Sequence, residues 1–228
     1  MSASHSIPVI AYGPLSPYLE AQLQARFTVH QVPVDADPAS LPEEVREARA
    51  LIAFGAVGAS AAIMDALPKL EIIGLFSVGY DKVDIEHARA RGIRVSNTPD
   101  VLTDDVADLA VGLLYATVRN IAANDRMVRS GAWARGERPQ LSGSVTGRRI
   151  GILGLGRIGR AIARRLEPVA GEIVYHSPRA VTDAPYRYVP DAMTLEREGG
   201  PVVLPTAGGP GARGLVVAPV LDAPGLEG

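Results

Sequence analysis

The sequence predicts an α/β protein built on parallel β-sheets, and three observations point to this fold class. Short apolar segments alternate with segments of helical periodicity, a glycine motif follows one of the apolar segments, and the composition is that of an ordinary globular protein. Hydrophobic residues make up 47% and charged residues 21% of the 228 residues, so a buried core can form. At this length we expect one or two domains.

Composition also excludes several functional classes. The net charge of −2 is not typical of a nucleic-acid-binding protein, which usually carries a basic surplus. The chain has no cysteine, which excludes disulfides, thiolate metal sites and cysteine nucleophiles. None of His5, His30 and His87 has a second ligand at metal-binding spacing in the sequence, so no metal site is predicted.

No membrane segment is expected from the sequence. The longest uncharged apolar stretch, residues 109–118, is far shorter than the ~20 residues that a bilayer-spanning helix needs. Residues 1–7 have neither a positive segment nor an apolar run of signal-peptide length. We therefore expect a cytoplasmic protein.

The first part of the chain predicts one α/β domain. Compact apolar or β-branched segments indicate strands, and a looser pattern at 15–26 indicates a helix. Strands that alternate with helices are typical of a parallel sheet with crossover connections. The predicted strands occupy residues 8–12, 27–34, 50–54, 72–77 and 92–96. We place a first domain at 1–97 and a second at 98–228.

The clearest helix begins at Thr103. Its hydroxyl is expected to cap the free N–H groups, and Asp104 and Asp105 follow where the helix dipole favours negative charge. Apolar residues then recur at helical spacing and predict one buried stripe: Val106, Leu109, Ala110, Leu113, Leu114, Thr117, Val118 and Ile121. Small residues on the other faces indicate cover on more than one side. An interior helix of a monomer and a subunit contact are equally compatible with this pattern.

A glycine motif of the form G-x-G-x-x-G occupies residues 154–159. Such a motif alone is a weak signal, because glycines recur by chance in loops. Here it follows a predicted strand at 148–153 and begins a predicted helix at 157–166, which is the context that dinucleotide binding requires. The alternative is a glycine-rich structural turn.

Each glycine of the motif has a physical role in dinucleotide binding. Gly154 permits a tight turn, Gly156 lets the backbone approach a pyrophosphate, and Gly159 lets helix and strand pack closely. The helix N-terminus then stabilises the phosphate charge. The motif therefore predicts a dinucleotide cofactor.

The end of the next predicted strand bears on the choice between NAD and NADP. A site that prefers NAD usually has an acidic residue about 20 positions into the motif, where it binds the ribose 2′-OH. The residue near that position is Ser177, and Arg179 follows, where a guanidinium is suited to a 2′-phosphate. This favours NADP, with NAD possible. In the alternative, Arg179 is a solvated loop residue and Asp183 is the acidic partner.

Other candidate residues are assigned structural roles. His176, at the strand end, is interpreted as a packed strand residue. Arg157, Arg160 and Arg164 share one helix face and are interpreted as solvated. Trp133 is expected to pack in the interior.

The chain resembles the D-isomer-specific 2-hydroxyacid dehydrogenases through three motifs that occur in order. These are the segments at 77–84, at 97–108 and at 154–159. The segments at 131–133 and 175–177 are most similar to the NADPH-preferring glyoxylate and hydroxypyruvate reductases of that family. The resemblance extends from about residue 7 to residue 228.

The resemblance implies two Rossmann-like, doubly wound parallel-sheet domains, the second incomplete, with the active site in the cleft between them. It implies a homodimer formed largely through the nucleotide domain. The N–H groups of Val78 and Gly79 would bind the substrate carboxylate, and Thr103 would lie near the nicotinamide. The other implied cofactor-binding residues are Gly154, Leu155, Gly156, Arg157, Ile158, Gly159, Ser177, Arg179 and Thr206.

The resemblance also implies a reaction, in which a hydride passes from the nicotinamide to the carbon of a small 2-oxo acid. In the family an Arg polarises the carbonyl and a His, tuned by a Glu, donates the proton. These residues belong to segments after the matched region, and none of the four histidines corresponds to the family's proton donor. No catalytic residue is therefore assigned in this chain. The alternative function is non-catalytic dinucleotide binding, or that of a degenerate fragment.

The end of the chain is rich in glycine and proline. Pro201 and Pro205 bracket residues 202–204, where the family has a central strand. Because proline lacks the N–H that a strand ladder uses, we expect these prolines to weaken that strand.

Overall fold

The computed structural model describes residues 7–205 and shows two compact units, which meet along the chain between Val101 and Leu102. The boundary predicted from the sequence, at residues 97/98, lies slightly earlier. Each unit contains one parallel sheet with helices packed against it. The α/β class predicted from the sequence is thus confirmed.

The first unit holds a five-stranded sheet in the order β2-β1-β3-β4-β5, with every neighbouring pair parallel. This is the doubly wound order found in flavodoxin-like domains. The strands are β1 (Pro8–Tyr12), β2 (Thr28–Val32), β3 (Ala50–Ala53), β4 (Ile72–Leu75) and β5 (Arg94–Ser96). The helices are α1 (Pro17–Gln24), α2 (Glu43–Arg46), α3 (Ala61–Asp65) and α4 (Ile85–Ala90), with a 3₁₀ turn at Pro38–Ser40.

Sequence character explains the order of these strands. The inner strand β1 is apolar and almost wholly buried, because helices cover parallel sheets on both faces. The edge strands β2 and β5 carry polar residues and are more exposed. Side-chain oxygens of Ser16, Ser60 and Asp84 cap α1, α3 and α4, which fixes where these helices begin.

The second unit holds a four-stranded parallel sheet in the order β8-β7-β6-β9. In the numbering of that sheet alone, the order is 3-2-1-4, as in a Rossmann mononucleotide-binding half. The strands are β6 (Arg149–Leu153), β7 (Glu172–His176), β8 (Arg187–Tyr188) and β9 (Val202–Val203). The helices are α5 (Thr103–Val118), α6 (Ile121–Arg129), α7 (Arg157–Leu166) and α8 (Ala192–Gly199).

Two helix layers enclose the second sheet. Helices α5 and α7 pack against each other and contribute to a core with Ile150, Ile152 and Tyr175. Helix α8 packs on the other face of β6 and β7, where Leu195 meets Leu153. The sheet is therefore covered on both sides, and its carboxyl end carries the glycine loop.

The helix predicted from Thr103 is present, but its details differ from the prediction. Thr103 is the first helical residue and Leu102 is the cap, with no side-chain capping bond, so the predicted hydroxyl cap is wrong. The helix ends at Val118, because Asn120 adopts a left-handed conformation (φ 53°) and a second helix begins at Ile121.

The predicted buried stripe of this helix is also wrong in part. Leu114 is buried, but Leu109 and Leu113 are 63% and 57% exposed. The buried face is rotated toward Ala107, which packs with α7. Two large apolar side chains therefore remain on the solvent face of α5.

Two further predictions concern Trp133 and the prolines near the end of the described chain. Trp133 is largely exposed, so the predicted interior packing is wrong. Pro201 precedes β9 and uses only its carbonyl, which accepts a hydrogen bond from the N–H of Gly151 at 3.0 Å. Val202 and Val203 pair with β6, so the prolines bracket the short strand without entering it.

Among the described residues no single helix is long and apolar enough to cross a membrane. Helices α5 and α6, bent by 63°, pass that test only when taken as a pair.

Candidate dinucleotide and carboxylate sites

The glycine motif lies in a strand-turn-helix unit at the carboxyl end of β6. The strand ends at Leu153, Gly154 has a φ of 105°, and the helix α7 begins at Arg157. A φ of 105° is poorly accessible to any residue with a side chain, so the turn requires glycine at this position. The strand and helix predicted from the sequence are both confirmed.

Close packing of the helix on the turn depends on Gly159. A Cβ atom at this position would lie 2.0 Å from the carbonyl oxygen of Gly154. No side chain fits into that space, so glycine sets how closely α7 begins to the turn.

The loop is fastened to the neighbouring strand by Ser177. Its Oγ accepts a hydrogen bond from the N–H of Leu155 at 2.9 Å, and the N–H of Gly154 donates to the carbonyl of His176 at 2.8 Å. Ser177 is the one buried polar residue in the described part of the chain, at 9% exposure. The Leu155 N–H is thereby engaged within the protein, while the Ser177 hydroxyl keeps its own proton for a further acceptor.

The space beside Gly156 is open. A Cβ atom at Gly156 would meet nothing within 4 Å, so the backbone is open to an approaching group. Gly156 is the N-cap of α7, and the first N–H groups of a helix lack intrahelical partners. Helix α7 carries arginines and no acidic residue, so its N-terminus is electropositive and suited to phosphate.

Residues predicted for the adenosine side lie just beyond β7. Arg179 is exposed and makes no hydrogen bond or ion pair with another described residue. Asp183, the alternative partner, is exposed and left-handed, with a φ of 64°. His176 is engaged instead, since its Nδ1 lies 3.0 Å from the carbonyl oxygen of Val189. Thr206 lies outside the described residues.

A second candidate site lies in the first unit, in the loop that follows β4. The three carbonyls of Ser77, Val78 and Gly79 all accept hydrogen bonds: from the N–H of Thr98 at 2.9 Å, from Nδ2 of Asn97 at 2.8 Å, and from the hydroxyl of Ser77 at 2.7 Å.

The N–H groups of Val78 and Gly79 donate to no described residue. Successive free N–H groups in a loop form a concave anion-binding site, because their partial positive charges converge. The loop thus presents donors suited to an anion such as a carboxylate, and these are the two residues for which the family resemblance implies that role.

Two glycines in the turn after β3, Gly55 and Gly58, pack closely against this loop. A Cβ atom at Gly55 would lie 2.0 Å from the Ser77 Oγ and 2.3 Å from the Gly79 carbonyl oxygen. Gly58 has a φ of 69°, and a Cβ atom there would lie 2.2 Å from the carbonyl oxygen of Lys82. The turn after β3 and the loop after β4 therefore pack backbone against backbone.

Thr103, predicted to lie near the nicotinamide, is half-buried at the start of α5. An arginine on α7 holds this part of α5 in place. Arg165 Nη2 lies 3.0 Å from Asp104 Oδ1 and its Nε lies 2.5 Å from Asp108 Oδ1. These two carboxylates raise the pKa of Arg165 above its ordinary value, Asp108 having the larger effect.

Charge pairs elsewhere in this unit stabilise its sheet. Arg187 and Arg149 both hydrogen-bond Glu172, at 2.8 Å and 2.5 Å, and hold the pKa of that carboxyl below its ordinary value. Burial, aided by the hydrogen bond to Glu167, raises the pKa of Tyr186 to about 12. Glu172 thereby connects the beginnings of three strands.

Sequence reasoning missed one histidine-carboxylate contact. His87 Nε2 lies 2.7 Å from Asp65 Oδ1, although the two residues are 22 positions apart. Nothing in the local sequence could have shown this contact, because it depends on how α3 and α4 pack. No cluster of three or more His, Cys, Asp or Glu residues capable of binding a metal occurs within residues 7–205.

Known proteins match this chain over nearly its whole length. A family model described as D-isomer specific 2-hydroxyacid dehydrogenase, catalytic domain, matches residues 9–199. A glyoxylate/hydroxypyruvate reductase A of Arabidopsis thaliana is 42% identical over 224 residues, which are 98% of this chain and 71% of that protein. A hydroxyphenylpyruvate reductase of Plectranthus scutellarioides is 41% identical over 226 residues, with the same two coverages.

A solved structure agrees with both the fold and the sequence. The NADPH-dependent glyoxylate/hydroxypyruvate reductase of Sinorhizobium meliloti, in complex with NADP and malonate, aligns with a TM-score of 0.83 and 36% identity. The alignment covers 94% of this chain and 67% of that one.

Two doubly wound units, one of them with a dinucleotide-type glycine loop, define a protein of the dehydrogenase class. Within that class the chain belongs to the D-isomer specific 2-hydroxyacid dehydrogenase family. It spans about 71% of the length of the two curated relatives above.

Proposed function

We propose that this protein is an NAD(P)-dependent reductase that converts a small 2-oxo acid, such as glyoxylate or hydroxypyruvate, to the 2-hydroxy acid. The glycine loop carries the proposal: Gly159 seats α7 on the turn, Ser177 fastens the loop, and the space beside Gly156 is open. The nicotinamide, when bound, supplies the hydride. The names of the Arabidopsis and Sinorhizobium relatives, both glyoxylate/hydroxypyruvate reductases, support the substrate class.

The two units have separate tasks in this proposal. In the second unit, residues 154–159 bind the pyrophosphate, Ser177 and Arg179 the adenosine ribose, and Thr103 lies near the nicotinamide. In the first unit, the N–H groups of Val78 and Gly79 bind the carboxylate of the acid. Their carbonyls are already hydrogen-bonded within the protein, so only donors face the anion.

The preference for NADPH over NADH rests on Arg179. Its exposed guanidinium has no partner among the described residues and follows Ser177 by two positions, which suits a ribose 2′-phosphate. We expect Arg179→Ala to weaken NADPH binding more than NADH binding. Equal loss for both cofactors would show that Arg179 does not read the phosphate.

We also propose that the chain acts in the cytoplasm. We further propose that it forms a homodimer in which the solvent face of α5 contacts the second copy. Leu109 and Leu113 place two large apolar side chains on that face, and contiguous exposed apolar surface marks interaction sites. Analytical ultracentrifugation of the L109E/L113E double variant should give a monomer, whereas Tyr18→Glu on α1 should leave the dimer intact. A monomeric wild-type chain would contradict the proposal.

Cofactor binding is tested by fluorescence titration with NADPH and NADH. The matched variant is Gly156→Ala, because a Cβ atom there meets nothing in the protein and would obstruct only the pyrophosphate. We expect the wild type to bind, and the variant to keep its fold while losing affinity. Equal binding by both would place the cofactor elsewhere.

Turnover is measured separately, by adding hydroxypyruvate to the same cuvette. His87 and His176 are engaged with Asp65 and with the carbonyl of Val189, and no described residue is assigned as the proton donor. Oxidation of NADPH upon addition of the acid supports the reductase. Binding of NADPH without oxidation would support a non-catalytic dinucleotide-binding protein instead.

A further inference from the structure

Helix α5 begins without the contacts that usually hold the first turn of a helix. Its N-cap residue, Leu102, makes no side-chain capping bond, and none of residues 102–106 is buried. Ala107 is the first residue of the helix that packs in the core. A helix end that is neither capped nor packed frays, because its first N–H groups have no intrahelical partners. Thr103 lies in this turn.

One guanidinium on α7 holds the turn from outside the helix. Arg165 Nη2 donates to Oδ1 of Asp104 at 3.0 Å, and its Nε donates to Oδ1 of Asp108 at 2.5 Å. Residues four positions apart lie on one face of a helix, so one guanidinium reaches both carboxylates. An isolated exposed ion pair contributes little, whereas one guanidinium that binds two carboxylates forms a network. These two contacts take the place of a cap at the start of α5.

Arg165 is itself firmly placed. Its Nη1 donates to the carbonyl of Ala161, one turn earlier in α7, at 3.1 Å, so the guanidinium points back toward the glycine turn where α7 begins. The adjacent residues of the helix, Ile162 and Leu166, are fully buried in the core of the second unit. The Arg165 side chain is only 27% exposed. A rigid helix thus supports a turn that has little support of its own.

We propose that Arg165 is a positioning residue for cofactor binding, which holds the first turn of α5 so that Thr103 contacts the nicotinamide half of the dinucleotide. The inference rests on the proposed function, since it takes residues 154–159 as the pyrophosphate site and Thr103 as a neighbour of the nicotinamide. When the turn frays, Thr103 leaves its place, and the affinity falls with the fraction of molecules in which the turn is ordered. The adenosine half does not depend on this turn.

The test compares NADPH with 2′-phospho-ADP-ribose, which lacks the nicotinamide, by isothermal titration calorimetry on the 228-residue chain. Arg165→Met keeps an apolar stem and removes both ion pairs. We expect the NADPH affinity to fall about fivefold, in line with the loss of a helix cap. The affinity for 2′-phospho-ADP-ribose should stay within about twofold of the wild type, because salt screens the lost charge.

Hydrogen exchange reports the fraying directly. The N–H of Val106 donates to the carbonyl of Leu102 at 2.9 Å and closes the first turn of α5. Its exchange should become faster in Arg165→Met, while exchange in β6 stays as in the wild type. Faster exchange throughout the second unit would instead show a general loss of stability.

Three variants separate positioning from charge and from stability. Arg165→Lys keeps a cation that reaches a carboxylate and should retain most of the NADPH affinity. D104N/D108N changes the local charge in the opposite direction from Arg165→Met, yet should also weaken NADPH binding selectively. Arg187→Met is the matched control, because Arg187 also pairs with two carboxylates in the same unit. It should leave the ratio of the two affinities unchanged.

A double-mutant cycle shows whether Arg165 acts through Thr103. Thr103→Ala should itself weaken the binding of NADPH and not that of 2′-phospho-ADP-ribose. In that background, Arg165→Met should cost no further NADPH affinity, because coupled residues are not additive. Independent losses that multiply would show that Arg165 acts by another route and would overturn the inference.

The outcomes distinguish this inference from the proposed function. Equal losses for both ligands in Arg165→Met, or no loss for either, overturn the positioning role and leave the dinucleotide site intact. Failure of both ligands to bind the wild type overturns the proposed function, and the positioning role with it. If circular dichroism shows that Arg165→Met does not fold, the same affinity ratio in D104N/D108N and Arg165→Lys decides the question.

Discussion

The two candidate anion sites of this molecule are built in opposite ways. In the second unit, the donors belong to the first turn of α7, and Ser177 stabilises the loop by accepting a hydrogen bond from the N–H of Leu155. In the first unit no helix begins at the loop, and Asn97 stabilises it by donating to the carbonyl of Val78. The glycine loop takes its donors from the N-terminus of α7. The loop at 77–79 offers backbone N–H groups that donate to no described residue, while its carbonyls are hydrogen-bonded within the protein.

The difference shows which parts of a site a short motif can encode. The residues of the glycine loop are contiguous in sequence, apart from Ser177. The loop at 77–79 depends on a turn more than 20 residues earlier and on Asn97, so its residues are scattered. Both sites lie at carboxyl ends of parallel strands, where doubly wound sheets bind ligands.

The largest effect is expected from Gly159→Ala. The new Cβ atom would lie 2.0 Å from a backbone oxygen, so α7 must shift, at a cost of about 3 kcal/mol in the unfolding free energy. Hydrogen exchange should rise in β6 and α7, and NADPH binding should be lost. Gly156→Ala, with open space around its Cβ, should keep its normal exchange; a stable Gly159→Ala variant would contradict this packing argument.

A somewhat smaller loss of unfolding free energy is expected from Gly58→Ala in the first unit. The substitution combines a left-handed backbone with an overlap on Lys82, and we expect a loss of about 2 kcal/mol. Gly92 has a similar φ of 70° and open space around it. Gly92→Ala should therefore cost only about 1 kcal/mol. Equal losses in chemical denaturation would show that backbone strain, not the overlap, determines the cost.

Removing the two side chains that stabilise the loops should separate the sites. Ser177→Ala leaves the N–H of Leu155 without its buried acceptor, and Asn97→Ala leaves the carbonyl of Val78 without its donor. Each should cost about 1 to 2 kcal/mol. Ser177→Ala should weaken NADPH binding only, and Asn97→Ala should weaken binding of the acid only. Asn124→Ala, whose side-chain bond is exposed and 3.5 Å long, should change neither.

The smallest effect is a pH dependence that arises from Glu172 in the second unit. The pKa of Glu172 is held below its ordinary value by Arg187 and Arg149. Its contribution to stability is therefore present above the pKa of the unfolded state and is lost as the pH falls through the folded pKa. Glu172→Gln should lower the Tm at pH 7 and reduce the further fall in Tm on acidification. Glu86→Gln, in an exposed pair with Arg89, should behave as the wild type.

Much of the fold could be predicted from the sequence, because local patterns specify local elements. The apolar run and glycines around residues 149–166 specified β6, the turn and α7. The buried face of α5 could not be predicted, because helical spacing shows that an apolar stripe exists but not which side the neighbouring helix covers. Leu109 and Leu113 are as apolar as Leu114, and only the position of α7 determines which of them is buried.

The sequence by itself determined the α/β class, the strands of the first unit, and the strand, glycine turn and helix at residues 149–166. Only the tertiary structure decided what supports the glycine loop and the loop at 77–79: Ser177 against Leu155, and Asn97 against Val78. These contacts join residues some 20 positions apart, because parallel strands must be connected by a crossover. Sheet register, which no local pattern records, then determines which side chains meet.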